Sequence, residues 1–221
     1  MKTIFTFFLF VSFLCCFSQQ PDIKKIKIDI AYLSSDELQG RATGSPEELK
    51  AARYIATRFA KLNLQPKGKD NDYIYPFTFT KPAKFHDTTG GTPCSGVNVA
   101  GFLDNNAEST IIIGAHFDHL GLGNDANSLD PTAKGLVHNG ADDNASGTAG
   151  VLALAEYYST NKKKEKFNFL FICFSGEELG LIGSKKFCDQ PTINLSRVNY
   201  MINMDMIGRL NAKNDLIVYG T

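Results

Sequence analysis

Residues 167–178 have the sequence FNFLFICFSGEE, and this stretch decides the fold. Its first eight residues are almost continuously apolar and lie between a lysine-rich segment and a glycine. Such a run is typical of a central strand that is buried on both faces. Two adjacent carboxylates, Glu177 and Glu178, follow at the point where the strand ends. The stretch therefore predicts a buried strand with a polar site at its carboxyl end.

Strand and helix patterns alternate along the chain on both sides of this run. The predicted elements are strands at 97–103, 110–115 and 200–204, helices at 146–158 and 179–187, and the beginning of a strand at 216–221. This alternation predicts an α/β fold, in which a three-layer sandwich places helices on both faces of a mostly parallel central sheet.

The amino-terminal part of the chain adds two helices and one strand. Apolar residues at helical spacing predict a first helix at 22–33. Ser45 is a suitable cap for a second helix, and Glu48 three residues later completes a capping box. Alternating residues at 73–80 predict an edge strand, and residues 81–95 are predicted to form a loop.

The first 18 residues have the pattern of a secretory signal peptide. Lys2 is followed by an apolar run at 4–17, and small residues allow cleavage after Ser18. A membrane anchor is the alternative, but the run is shorter than a transmembrane helix requires. We therefore expect a secreted or periplasmic protein with no stable membrane anchor.

Charge and cysteine content give little further information about function. The chain has 23 basic and 23 acidic residues, so nothing in its net charge suggests a nucleic-acid partner. Cys173 lies within the apolar run and is expected to be a buried thiol. Cys94 and Cys188 could pair in an oxidising compartment, but the sequence leaves their state open.

Polar clusters occur at four places where predicted strands or their connections end. They are GAHFDH at 114–119, NGADDNASG at 139–147, SGEELG at 175–180 and NMDM at 203–206. Because sites in open α/β sheets form at the carboxyl ends of the strands, we expect these clusters to converge.

Converging carboxylates would repel one another unless cations lay among them. A histidine with three or four carboxylates suits zinc, with manganese or cobalt as substitutes. Each cluster alone has a simpler interpretation. His116 and Asp118 could be an ordinary pair, the Asp142-Asp143 pair a helix cap, and the Glu177-Glu178 pair the charged first turn of a helix. Their order and their common position favour a metal site.

These four motifs resemble the ordered motifs of the two-zinc aminopeptidases related to bacterial leucyl aminopeptidase. The resemblance extends from about Leu33 to the last residue and includes residues 38–41. It implies that residues 19–221 form a zinc exopeptidase catalytic domain that lacks its C-terminal elements. It also implies a secreted hydrolase that acts on peptides or small proteins.

The resemblance further implies a set of metal ligands. His116, Asp143 and Asp205 would hold one zinc, and Asp143 would bridge to a second zinc that also takes Glu178. A cis peptide bond between Asp143 and Asn144 is expected, because relatives use one to aim the bridging carboxylate.

Two catalytic roles follow from the same resemblance. Glu177 would be the general base, which takes a proton from a zinc-activated water and passes it to the leaving amine. Asp118 would orient the ring of His116.

The sequence departs from the family pattern in one respect. Family members have a further histidine ligand near the C-terminus, whereas this sequence ends at Thr221. His86, His119 and His138 do not match that ligand. We therefore expect the second zinc site to lack one ligand in this chain, which is either part of a longer protein or a shortened paralogue.

The function expected from the sequence is the removal of N-terminal residues from peptides. Another amide hydrolase or related enzyme on this scaffold, such as a carboxypeptidase or a glutaminyl cyclase, is one alternative. An inactive or binding-only truncated paralogue is the other.

Overall fold

The computed structural model describes residues 20–81, 91–124, 128–130 and 132–220. The predicted signal peptide and His86 lie outside these residues. The helices are α1 (Ile23–Leu33), α2 (Pro46–Lys61), α3 (Gly147–Thr160) and α4 (Ile182–Asp189). The strands are β1 (Gln65–Pro66), β2 (Ile74–Lys81), β3 (Thr92–Leu103), β4 (Thr110–His116), β5 (Asn168–Phe174) and β6 (Val198–Asn203). None of the described helices is both long and apolar enough to cross a membrane.

The six strands form one mixed sheet with the order β1-β3-β5-β4-β6, and β2 also pairs with β3. β5, β4 and β6 are mutually parallel, whereas β3 runs antiparallel to β5, to β1 and to β2. The predicted α/β class with a central sheet is confirmed, and the sheet is mixed because β3 runs against its neighbours. Only residues 104–109 connect β3 to β4, and parallel strands need a crossover of a dozen or more residues.

Helices cover both faces of the sheet, so the predicted three-layer arrangement is confirmed. Phe171 and its neighbours on one face pack against α1, α2 and α3 in the larger core cluster. Ile172 points to the opposite face and packs with Phe187 of α4 in the smaller cluster. Successive residues of β5 thus serve opposite layers, as the strand period of two requires, and the whole strand is buried.

Three predicted elements differ from the structure by three residues or more. β3 begins at Thr92 rather than after a loop to residue 95, because its first residues pair with β2. α4 begins at Ile182 rather than at residue 179, because Gly180 and Leu181 have positive φ values of 100° and 60°. Residues 216–220 form no strand, since no neighbouring strand pairs with them in the part of the chain that the structure describes.

The start of α2 is partly as predicted. The Ser45 hydroxyl accepts a 3.0 Å hydrogen bond from the Glu48 amide, so Ser45 is the helix cap. The Glu48 carboxylate, however, does not return to the Ser45 amide. It accepts from the amides of Gly44 (2.7 Å) and of Val97 (3.1 Å) in β3. β3 thus supplies a hydrogen-bond donor to Glu48, and the sequence of α2 alone does not predict this contact.

Cys94, Cys173 and Cys188, the cysteines that the structure describes, are free thiols. Cys173 is fully buried in β5, as expected, and burial strongly raises the pKa of its thiol. Cys94 and Cys188 are not joined to each other.

Candidate metal centre

The predicted site residues meet at the edge of the sheet where the parallel strands end. His116 is the last residue of β4, Glu177 and Glu178 follow β5, and Asp205 follows β6. Asp143 lies in the irregular turn that precedes α3. Because β4, β5 and β6 are parallel and adjacent, their carboxyl ends bring these side chains to one place.

His116, Asp143 and Asp205 form a first group of possible metal ligands. The His116 Nε2 atom lies 3.2 Å from Asp143 Oδ1 and 3.4 Å from Asp205 Oδ1. Two ligand atoms at tetrahedral angles on one zinc ion lie about 3.3 Å apart, given zinc–ligand distances of about 2.0–2.1 Å. The observed spacing and the imidazole–carboxylate donor set therefore fit a zinc ion.

His119, Asp143 and Glu178 form a second group, and the ligand atoms of this group lie within 4.8 Å of one another. Asp143 belongs to both groups, which is the arrangement that a bridging carboxylate requires. The His119 Nδ1 atom lies 2.6 Å from Glu178 Oε1. This distance is that of a hydrogen bond rather than of two atoms bound to one ion. The sequence assigned His119 no role.

Asp118 connects the ring of His116 to the end of β5. The His116 Nδ1 atom lies 3.2 Å from the Asp118 carbonyl oxygen and 3.5 Å from its Oδ1 atom. The buried Asp118 carboxylate also accepts from the Thr43 hydroxyl at 2.8 Å and from the Glu177 amide at 3.2 Å. Asp118 therefore contacts both the predicted metal ligand and the backbone of the predicted base.

Glu177 lies beside the first group. Its Oε2 atom is 3.9 Å from His116 Nε2, and its side chain is 33% exposed. Burial raises the pKa of the Glu177 carboxyl, and the neighbouring Asp118, Glu178 and Asp205 carboxylates raise it further, while His116 lowers it. A carboxylate with a raised pKa is a stronger base, which suits a residue that accepts a proton from water.

The carboxylates favour a positive charge at the His116 ring. Burial lowers the pKa of His116, but hydrogen bonds to Asp118, Asp143 and Asp205 outweigh burial and raise it to about 12. The hydrogen bond to His116 lowers the pKa of Asp143 in turn. A cation among these groups would satisfy the same electrostatic demand as the proton.

Asn144 has a side-chain role at the site that the sequence reasoning did not predict. The peptide bond between Asp143 and Asn144 is cis, as the family resemblance predicted. The buried side-chain amide of Asn144 donates a hydrogen bond to the Met204 carbonyl at 2.9 Å and accepts one from the Met206 main-chain amide at 3.2 Å. It thereby holds both neighbours of Asp205. Its position next to Asp143 was the only signal in the sequence.

The chain is similar to a known protein family and to several curated proteins. The profile of Peptidase family M28 matches residues 98–221. The alkaline phosphatase isozyme conversion protein of Escherichia coli is 32% identical over 147 residues, which are 66% of this chain and 40% of that protein. A probable leucine aminopeptidase of Trichophyton verrucosum is 33% identical over 168 residues, 74% of this chain and 38% of that protein. The chain thus spans about 40% of the length of these curated relatives.

Solved structures show the same fold at low sequence identity. A leucine aminopeptidase precursor from Bacteroides thetaiotaomicron has a TM-score of 0.67 and 17% identity, over 87% of this chain and 65% of that one. A glutaminyl cyclase from the same organism has a TM-score of 0.68 and 18% identity, over 87% and 64%. The family match covers more than half of the sequence and contains every predicted metal ligand, so this chain belongs to peptidase family M28, a family of metallopeptidases.

Proposed function

We propose that this chain is the catalytic part of a zinc-dependent aminopeptidase that removes N-terminal residues from peptides or small proteins. The observation that carries the proposal is the pair of ligand groups that share Asp143. In the first group, His116 Nε2 lies 3.2 and 3.4 Å from two carboxylate oxygens. The leucine aminopeptidases among the relatives support this substrate class.

In this mechanism the side chains have different roles. His116, Asp143 and Asp205 would hold one zinc, and Asp143 and Glu178 would contribute to a second. Bound zinc would polarise the scissile carbonyl and lower the pKa of the attacking water. Glu177 would accept a proton from the attacking water and deliver it to the leaving amino group.

Orientation of these groups comes from their hydrogen-bonded neighbours. Asp118 keeps the Nε2 atom of His116 directed at the carboxylates by contacting Nδ1. Asp118 also accepts a hydrogen bond from the Glu177 amide. One buried residue, through its carbonyl and its carboxylate, therefore links a metal ligand to the base.

Glutaminyl cyclisation is the second candidate, because a glutaminyl cyclase matches this fold as well as an aminopeptidase does. Assays with different substrates distinguish the two reactions. An aminopeptidase releases the chromophore from a leucyl anilide, whereas a cyclase acts only on an N-terminal glutaminyl peptide. Cyclisation without anilide hydrolysis would replace the first proposal by the second.

The roles of the two adjacent glutamates provide the sharpest test. Glu177→Gln should lower anilide hydrolysis by about 10²- to 10⁴-fold, because a general base contributes about that much. Its zinc content should not change. The matched variant Glu178→Ala should lose zinc as well as rate. Both are measured by metal analysis and by turnover, in the longest form of the protein that its gene encodes. Equal zinc loss in the two variants would contradict the assignment.

We also propose that the protein acts in the periplasm or outside the cell. The support is the signal-peptide pattern of residues 1–18. Cell fractionation and N-terminal sequencing should find a mature protein that begins at Gln19. An uncleaved protein in the cytosol would contradict this proposal.

A further inference from the structure

Arg41 lies at the centre of the loops that carry the metal site, and it is fully buried. Its Nε atom donates to the Phe117 carbonyl at 2.7 Å. Its terminal nitrogens donate to the carbonyls of Leu33, Asn139 (2.8 Å) and Gly140 (3.0 Å). One guanidinium therefore joins the end of α1, the loop after β4 and the loop before α3.

Two of these contacts are adjacent to predicted ligands. Phe117 lies between His116 and Asp118, and Gly140 lies three residues before Asp143. The guanidinium thus binds the backbone on both sides of the first ligand group. It spans residues that are 76 and 98 positions away in the sequence.

The main chain around Arg41 holds the same loops. The Arg41 carbonyl accepts from the His119 amide at 3.4 Å, and the Gly40 carbonyl accepts from the Gly121 amide at 3.1 Å. Gln39, Gly40 and Arg41 all have positive φ, at 41°, 72° and 51°. At Gly40 a Cβ atom would lie 2.5 Å from a carbonyl oxygen of His138. A glycine is therefore required for the turn to approach so closely.

The positive charge of Arg41 lies near the carboxylates of the metal site. Burial lowers its pKa to about 10, while the nearby charges of Asp118, Asp143 and Glu178 raise it, so the group stays protonated at neutral pH. Within the described residues, the guanidinium donates each of its hydrogen bonds to a main-chain carbonyl. The cation therefore moderates repulsion among the site carboxylates without occupying their ligand oxygens.

We propose that Arg41 is a positioning residue of the metal centre. Its guanidinium sets the separation between the His116 loop and the Asp143 loop, and thereby the affinity of the site for zinc. This inference rests on the proposed zinc-binding function. It also gives a role to the Leu38–Arg41 segment, which the sequence singled out without explaining.

Lysine cannot replace arginine in this role. The guanidinium presents five N–H donors in a planar fork, and it satisfies four carbonyls in different directions. A lysine ammonium has three donors on a flexible stem. Arg41→Lys therefore keeps the charge but loses the geometry, which makes it the informative substitution.

The experiment compares Arg41→Lys with Arg58→Lys as a matched control. Arg58 is also largely buried, but it pairs with Asp29 and Glu156 on α1 and α3, away from the site. The zinc dissociation constant is measured on folded monomer by competition with a chelating dye. Arg41→Lys should bind zinc about 10- to 100-fold more weakly than wild type, as expected when a group supporting metal ligands is lost. Arg58→Lys should stay within about twofold of wild type.

A second variant keeps the test decisive if Arg41→Lys does not fold. Gly121→Ala places a methyl group 2.6 Å from the Ala42 Cβ atom and shifts the Arg41 turn, while every proposed ligand remains. It should also weaken zinc binding. Wild-type zinc affinity in folded Arg41→Lys, or in Gly121→Ala when Arg41→Lys is unfolded, would overturn the inference. Absence of zinc binding in the wild-type protein would instead overturn the proposed function.

Discussion

Replacing Glu48 by glutamine should change how the stability of the protein depends on pH. Glu48 is 2% exposed, and its carboxylate accepts from the Gly44 and Val97 amides and from the Ser175 hydroxyl. Burial raises its pKa to about 7 from a model-compound value of 4.5, against the opposing effect of these hydrogen bonds. Glutamine has nearly the same shape but does not ionise.

The sign and size of the effect follow from the pKa shift. The folded state binds the Glu48 proton more tightly than the unfolded state, so this contribution to stability is fully present below about pH 4.5. It is lost as the pH rises through about 7. Over about pH 5 to pH 8 the loss amounts to about 2.5 kcal/mol, at about 1.4 kcal/mol per pKa unit. The stability of Glu48→Gln relative to wild type should therefore improve by that amount over the same interval.

Urea unfolding at several pH values measures this difference directly, because titrations common to both proteins cancel. A chelator in every sample keeps bound metal from contributing. Glu47→Gln is the matched control, since Glu47 is the adjacent carboxylate of α2, is partly exposed and pairs with Lys50. The change with pH in Glu48→Gln should clearly exceed the change in Glu47→Gln. A Glu48→Gln difference that is constant between pH 5 and pH 8 would refute the reasoning.

Two further predictions concern the second ligand group and the core. His119→Ala removes the hydrogen bond to Glu178, so the affinity for the second zinc should fall by about 10- to 100-fold while the first zinc is retained. Metal titrations measure this, with His138→Ala as the control. An unchanged affinity for the second zinc in His119→Ala would show that Glu178 needs no such support. Phe171→Ala removes a fully buried ring and should lower the free energy of unfolding by about 3–5 kcal/mol. The control Tyr219→Ala, at a residue 90% exposed, should lower it far less. Equal losses of stability in urea unfolding would contradict the assigned core.

The sequence by itself determined the parts of this protein that depend on nearby residues. The apolar run identifies β5 because a strand buried on both faces can contain almost no polar side chains. Ser45 marks the start of α2 because its hydroxyl needs only an amide three residues away. The sequence predicted His116, Glu177, Glu178 and Asp205 as site residues because they lie in short motifs at strand ends. It predicted Asp143 because this residue lies in a motif that opens a helix. The order of those motifs then identified the family.

The tertiary structure decided what depends on residues far apart in the chain. It determined the mixed strand directions of the sheet, the hydrogen bond between the Glu48 carboxylate and β3, and the hydrogen bond between His119 and Glu178. It also surrounded Arg41 with carbonyls from three separate segments. Main-chain carbonyls and amides are the same at every position, so a sequence pattern does not reveal which of them a buried side chain will meet. Only the packing of distant segments determines those partners.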